Sequence, residues 1–204
     1  MKKLYILISQ ALLAVLIHGC AVGEIHSTSD LQPGQQPGQP GRQPNTPSIG
    51  YTDPTTGTYQ LRMNPTLTTA IHLVLDLWGP AGVSGSGLTV SLTLGEGASW
   101  SNVNGTDSPG AYIANGTVFD LSSGTPILKA RVNGNALSAT ISEKGFASPK
   151  ALDGPLLRVG LDLAASSTRG MAISLSADNA KCKALLGDGT LLTITVTPGT
   201  LSVL

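Results

Sequence analysis

Very little in these 204 residues can do chemistry alone. Cysteine occurs twice, at Cys20 and Cys182, and histidine three times. There is no Cys-x-x-Cys, Cys-x-x-Cys-His or His-Glu-x-x-His, which excludes a disulfide framework and the usual zinc and haem motifs. Gly-x-Ser-x-Gly and Gly-rich phosphate loops are missing as well. Charged residues are 12% of the chain, with 12 basic against 12 acidic, so no basic face is expected to attract nucleic acid. Aromatic residues are 4%, too few for a long platform of rings stacked on sugars. No apolar run is long enough to span a bilayer. The longest, residues 4–17, is interrupted by Ser9 and Gln10, and as a helix it reaches roughly 21 Å against a ~30 Å hydrocarbon core.

That run has the shape of an export signal: Lys2 and Lys3, then the apolar stretch, then a small residue before a cysteine. Leu16-Ile17-His18-Gly19-Cys20 resembles the lipobox of bacterial lipoproteins, with His18 departing from its usual small or aliphatic residue. The resemblance implies a signal peptide over residues 1–19, removed at Cys20, with lipid on the Cys20 thiol. Ala21 rather than Asp after it implies attachment at the outer membrane. Several acyl chains on one residue hold lastingly, since each buried methylene contributes about 0.8 kcal/mol. Loss of Lys2 and Lys3 leaves 10 basic residues against 12 acidic ones, a net charge near −2.

Residues 20–57 follow as the lipidated cysteine and a linker. Its Pro/Gly/Gln run from Gln32 to Pro44 has almost nothing apolar to bury, so it is expected to be disordered, holding the next domain up to roughly 110 Å from the bilayer.

Residues 58–204 change character. Ile71, Leu73, Leu75 and Leu77 fall on one side at period two, and Leu88, Val90, Leu92 and Leu94 repeat the pattern with Thr89, Ser91 and Thr93 opposite. Leu128, Ala130 and Val132 lead into Asn133-Gly134, after which Leu137, Ala139 and Ile141 alternate with Ser138, Thr140 and Ser142. Two alternating runs around Asn-Gly predict a hairpin with a type I′ turn. Further alternation at 157–163, 171–175, 192–196 and 201–203 brings the count to about nine strands without a helical period. The fold expected is all-β, an antiparallel β-sandwich. Cys182 is expected to be a small buried hydrophobe.

Asp153-Gly154-Pro155-Leu156-Leu157-Arg158-Val159-Gly160-Leu161-Asp162-Leu163, then Gly170-Met171-Ala172-Ile173-Ser174-Leu175, Gly187-Asp188-Gly189 and Gly199-Thr200-Leu201-Ser202-Val203 resemble the C-terminal half of a cohesin-like domain. The resemblance implies a nine-stranded jelly roll shared with several cellulose-binding modules. It also implies a binding module whose ligand is a protein, dockerin for cohesins proper, or a polysaccharide.

For an enzyme, His72 is the one histidine outside the leader and linker. It lies opposite Leu73 and Leu75 and is expected to be exposed. Asp76, on the same strand face, stands roughly 13 Å from it, too far for a Ser-His-Asp arrangement within one strand. Asp178, Asn179 and Asp188 offer three oxygens where calcium takes six to eight, so no metal or cofactor is expected. The chain therefore reads as a non-catalytic surface lipoprotein. Its partners are the membrane, through the lipid, and, as the first reading, a polysaccharide or cell-surface glycan, with another surface protein as the alternative. The polysaccharide reading places Trp78, Trp100 and Tyr112 at the site and needs both tryptophans exposed on one plane. The protein reading needs an open apolar sheet face or edge, and a purely structural envelope component needs neither.

Overall fold

Period-two alternation decides which way each strand faces. The computed structural model describes residues 46–104, 111–122, 125–143 and 148–204. The expected signal peptide, Cys20 and the linker up to residue 45 lie outside the described residues. In chain order the strands are β1 (Ile49–Thr52), β2 (Tyr59–Met63), β3 (His72–Trp78), β4 (Ser84–Leu94), β5 (Ala98–Ser101), β6 (Ile113–Asn115), β7 (Ile127–Asn133) and β8 (Ala136–Ser142). After these come β9 (Lys150–Ala151), β10 (Pro155–Leu163), β11 (Ala172–Ile173), β12 (Leu175–Ala177), β13 (Lys183–Leu186), β14 (Leu191–Thr193), β15 (Val196–Thr197) and β16 (Thr200–Val203). No helix is found among the described residues.

One sheet runs β15-β2-β3-β10-β5 and another β14-β13-β4-β8-β7, with β1-β16-β11 as a third, smaller sheet. All pairings are antiparallel except β15 with β2. Segments outnumber the nine strands expected because β4 and β10 are long enough to be flanked along one edge by two shorter segments in turn. Thus β5 pairs with residues 160–163 of β10 and β6 with residues 157–159. Leu73, Leu75 and Leu77 from β3 meet Leu88, Val90, Leu92 and Leu94 from β4 in a single core. Cys182 joins it, fully buried, and burial pushes its thiol pKa up. The slip in register between Pro155 and Leu157 is a bulge, and it lets consecutive Leu156 and Leu157 both bury completely.

Two expectations are corrected. The hairpin forms, but Asn133 pairs with Ala136 as a strand residue, which leaves Gly134-Asn135 as the loop. Gly134 has φ +56° and no non-glycine residue among the described residues has positive φ, the pattern of a type II′ turn rather than I′. The second correction concerns the linker. Ile49–Thr52, within the stretch assigned to it, forms β1, pairs with Thr200–Val203 and buries Ile49. Four residues of alternating contact are enough for a strand when a partner edge is already in place, and that edge belongs to the far end of the chain.

Candidate functional site

The three aromatic residues read as sugar contacts do not form a row. Trp100 sits opposite Leu161 across β5 and β10, so parity turns it inward, and it is 7% exposed. Its Nε1–H donates to the carbonyl of Asn135 at 2.8 Å, in the turn of the β7-β8 hairpin, so it fastens one sheet to the other. Tyr112 packs half-buried against the core. Trp78 is half-buried, with the Arg62 guanidinium 4.9 Å over its ring and Arg62 Nε–H bonded to Gln60 Oε1 at 2.9 Å. The stacking plane required by the polysaccharide reading is therefore not present.

His72 is not exposed either; its side chain retains 12% of its accessible surface. Nδ1 lies 2.5 Å from Asp162 Oδ1 and 3.2 Å from Ser101 Oγ, and Nε2–H donates to the Val103 carbonyl at 3.1 Å. A nucleophilic serine needs the carboxylate and the hydroxyl at opposite ring nitrogens. Here both approach Nδ1, and a backbone carbonyl occupies Nε2. The cluster ties the turn after β5 onto β3 and β10 rather than activating a hydroxyl.

That turn covers the sheet. Val103, 3% exposed, lies over Gly160, where an added Cβ would stand 3.0 Å from its Cα. On the other side Thr68 Oγ1 bonds the backbone of Val74. The consequence shows at outward positions of β3: Val74 is fully buried and Asp76 is 6% exposed. Asp76 accepts from Arg158 Nε at 2.7 Å and from Asn64 Nδ2 at 2.9 Å.

The other large sheet differs. Outward positions of β4 and β8 carry mostly short hydroxyl side chains, with Thr93 and Ser138 exposed, Thr89, Ser91 and Thr140 half-buried, and Ser142 buried. Across the five strands one outward row reads Leu191, Leu185, Gly87, Ser142, Ile127. Leu191 is 68% exposed. An open hollow of about 200 Å³ lies along this row. Gly87 forms its floor, because a Cβ there would fall 2.6 Å from the Ile141 carbonyl oxygen and from Ser142 Cβ. Sequence reading missed these residues. Leu191 and Leu192 are neighbours, and only the pairing of Leu191 with Leu185 says which of them faces outward.

The acidic turn residues do not converge. Asp178 pairs with Lys181 at 2.7 Å, and that hydrogen bond holds its pKa below the usual range. Asp188 is lowered by the backbone N–H of Thr190, while Asn179 Oδ1 accepts from Val196 N–H at 2.9 Å. Three buried oxygens, the Tyr59 hydroxyl, Glu143 Oε2 and Asn115 Oδ1, lack a hydrogen-bond partner among the described residues, and the latter two lie close together in the fold. Glu143 Oε1 accepts from the Asp120 N–H and Asn115 Nδ2 donates to the Phe119 carbonyl. These are the two ends of one trans peptide, pointing opposite ways, so the orphaned oxygens of Glu143 and Asn115 flank it from either side and do not share one cation.

No family model matches the sequence, and no curated protein is similar to it. Solved structures do match. A type II cohesin dyad from an adaptor scaffoldin of Acetivibrio cellulolyticus superposes with a TM-score of 0.55 at 11% identity, over 73% of this chain and 48% of the other. The chain thus spans about half the length of that dyad. A type II cohesin domain from the cellulosome of the same organism gives 0.52 at 12% identity, covering 73% of this chain and 95% of that one. A chain from its type II cohesin-X-dockerin complex gives 0.52 at 13%, covering 70% and 97%. At such identities the likeness establishes the fold, and the fold of this chain is the cohesin-like β-sandwich.

Proposed function

We propose that this chain is a non-catalytic protein-binding module that takes its partner on the open face of β14-β13-β4-β8-β7. The observation that carries the reading is the asymmetry between the two large sheets. On one, Val74 and Asp76 at outward positions are buried beneath the 64–70 and 101–104 segments; the other offers a hydroxyl-rich face with an apolar hollow along one row. Exposed apolar surface rimmed by polar residues is the usual mark of a docking site. A neighbour in fold is a component of a cohesin-X-dockerin complex, an assembly between proteins, which supports a protein partner over a polysaccharide. The burial of Trp100 and the capping of Trp78 by Arg62 weigh the same way.

The test is site-specific photocrosslinking in the protein's own cells. A benzoylphenylalanine at Leu191 or Ser138 is expected to give one discrete protein adduct, and the same probe at exposed Asp53 or Arg169 is expected to give none. Equal labelling from all four positions, or none from the sheet face, overturns the reading.

Anchoring is the second part of the proposal. Lipid on Cys20 and the outer-membrane sorting read from Ala21 would tether the module at the cell envelope. Cys20→Ser is expected to move the protein from the membrane fraction to the soluble fraction and to abolish incorporation of labelled palmitate. Continued sedimentation with membranes, unlabelled, would show a different attachment.

A further inference from the structure

We infer that the segment docked on the β14-β13-β4-β8-β7 face is acidic and enters with an aliphatic side chain, and that a second copy of this chain is not the occupant. The inference rests on reading this face as the docking surface. The chain as a whole has no excess of basic residues, yet none of these five strands contains an Asp or Glu. Their outward positions hold Lys183, Lys129 and Arg131. Lys183 and Lys129 occupy one cross-strand row, Thr193, Lys183, Thr89, Thr140, Lys129, with β4 and β8 between them, and so stand about 14 Å apart across the sheet. Arg131 is two residues along β7 from Lys129, a further 7 Å or so.

None of the three cations is paired with a carboxylate among the described ion pairs, and Lys183 Nζ donates instead to Thr193 Oγ1 at 2.6 Å. The apolar row with Leu185, Leu191 and Ile127 runs directly beside the Lys183-Lys129 row, and Lys183 itself lines the hollow. A partner seated there places an aliphatic group against the leucines and lays its flanks over fixed positive charge. Carboxylates on those flanks are attracted, and lysines are repelled. The same field argues against self-association. A two-fold contact sets the same patch against itself, which brings three cations onto three with no acidic residue in the five strands of either copy to offset them.

The experiment pans a random-peptide phage library on the whole chain and measures the selected peptides by fluorescence anisotropy. The variants sit at exposed or half-exposed positions, and unchanged thermal melting confirms that they fold. The expected result is a set of peptides rich in Asp and Glu around Leu or Ile. Their affinity falls at least about tenfold with Lys129→Glu plus Lys183→Glu, falls similarly with Leu191→Asp, and weakens as salt rises to about 0.5 M. Neutral or basic peptides that respond to Leu191→Asp but not to the charge reversals overturn the acidic-partner inference and leave the docking face standing. Peptides indifferent to all three substitutions, or no selected peptides, overturn the docking reading itself. Sedimentation velocity tests the last part: a concentration-dependent dimer abolished by Leu191→Asp would make a second copy the occupant.

Discussion

Replacing Trp100 by alanine is expected to destabilise the domain by about 3–5 kcal/mol, the range for losing a large aromatic side chain from a packed core. For a domain of this size each kcal/mol moves the melting temperature by about 2–4 °C, so the midpoint should drop by on the order of 10 °C. The loss has two parts. The indole leaves a cavity between Leu161 and the rest of the core, and the Asn135 carbonyl loses the N–H that holds the β7-β8 turn. Trp100→Phe goes partway to separating them, since it removes the hydrogen bond, worth about 1 kcal/mol, while keeping most of the volume, so its loss should be well below that of Trp100→Ala. Thermal melts followed by circular dichroism distinguish the cases. A Trp100→Ala protein that melts like the parent would return the residue to the surface and restore one support of a sugar-stacking site.

The second large effect is expected at Asp76. Removal of its carboxylate by Asp76→Ala strands the Arg158 guanidinium and the Asn64 amide on a sheet face covered by chain. Deleting one partner of a buried ion pair costs about 3–5 kcal/mol. Arg158 keeps 24% of its side-chain surface, so water softens the penalty, and about 2–3 kcal/mol is expected. Replacing both partners, Asp76→Leu with Arg158→Met, should recover most of that loss, because apolar groups of similar volume leave no uncompensated charge. Chemical denaturation of the two singles and the double closes the cycle. Additive losses would show that the two side chains stabilise the sheet independently of each other.

Much of this architecture was legible because alternation is a local property. The leucines at 73, 75 and 77 and the series at 88–94 declare an inward face from three or four neighbouring residues, and the Asn-Gly signal brought β7 against β8 with the right faces inward, although the turn sits one residue further on and each cross-strand pairing is shifted by two. The all-β sandwich followed from these local statements. Trp78 and His72 show where alternation fails. Parity places both outward, which is correct, but outward does not mean exposed when a loop lies on top. His72 is covered by Val103, 31 residues further on, and is fastened to Asp162, 90 residues away. Trp78 is capped by Arg62 from the adjacent strand β2. Composition could not say which of two outward faces a loop would cover.

By itself the sequence determined the class of fold, the inward residues of the long strands, and the absence of a catalytic or metal-binding motif. Each of these rests on residues close together in the chain, where period-two geometry or a short motif leaves little choice. Tertiary structure alone decided that Ile49–Thr52 is a strand, that Trp100 is a fastening between sheets, and that His72, Ser101 and Asp162 meet without forming a triad. It also decided which sheet face stays open. The physical reason is the same in each case: burial of an outward side chain, or convergence of distant ones, depends on what the chain folds across it.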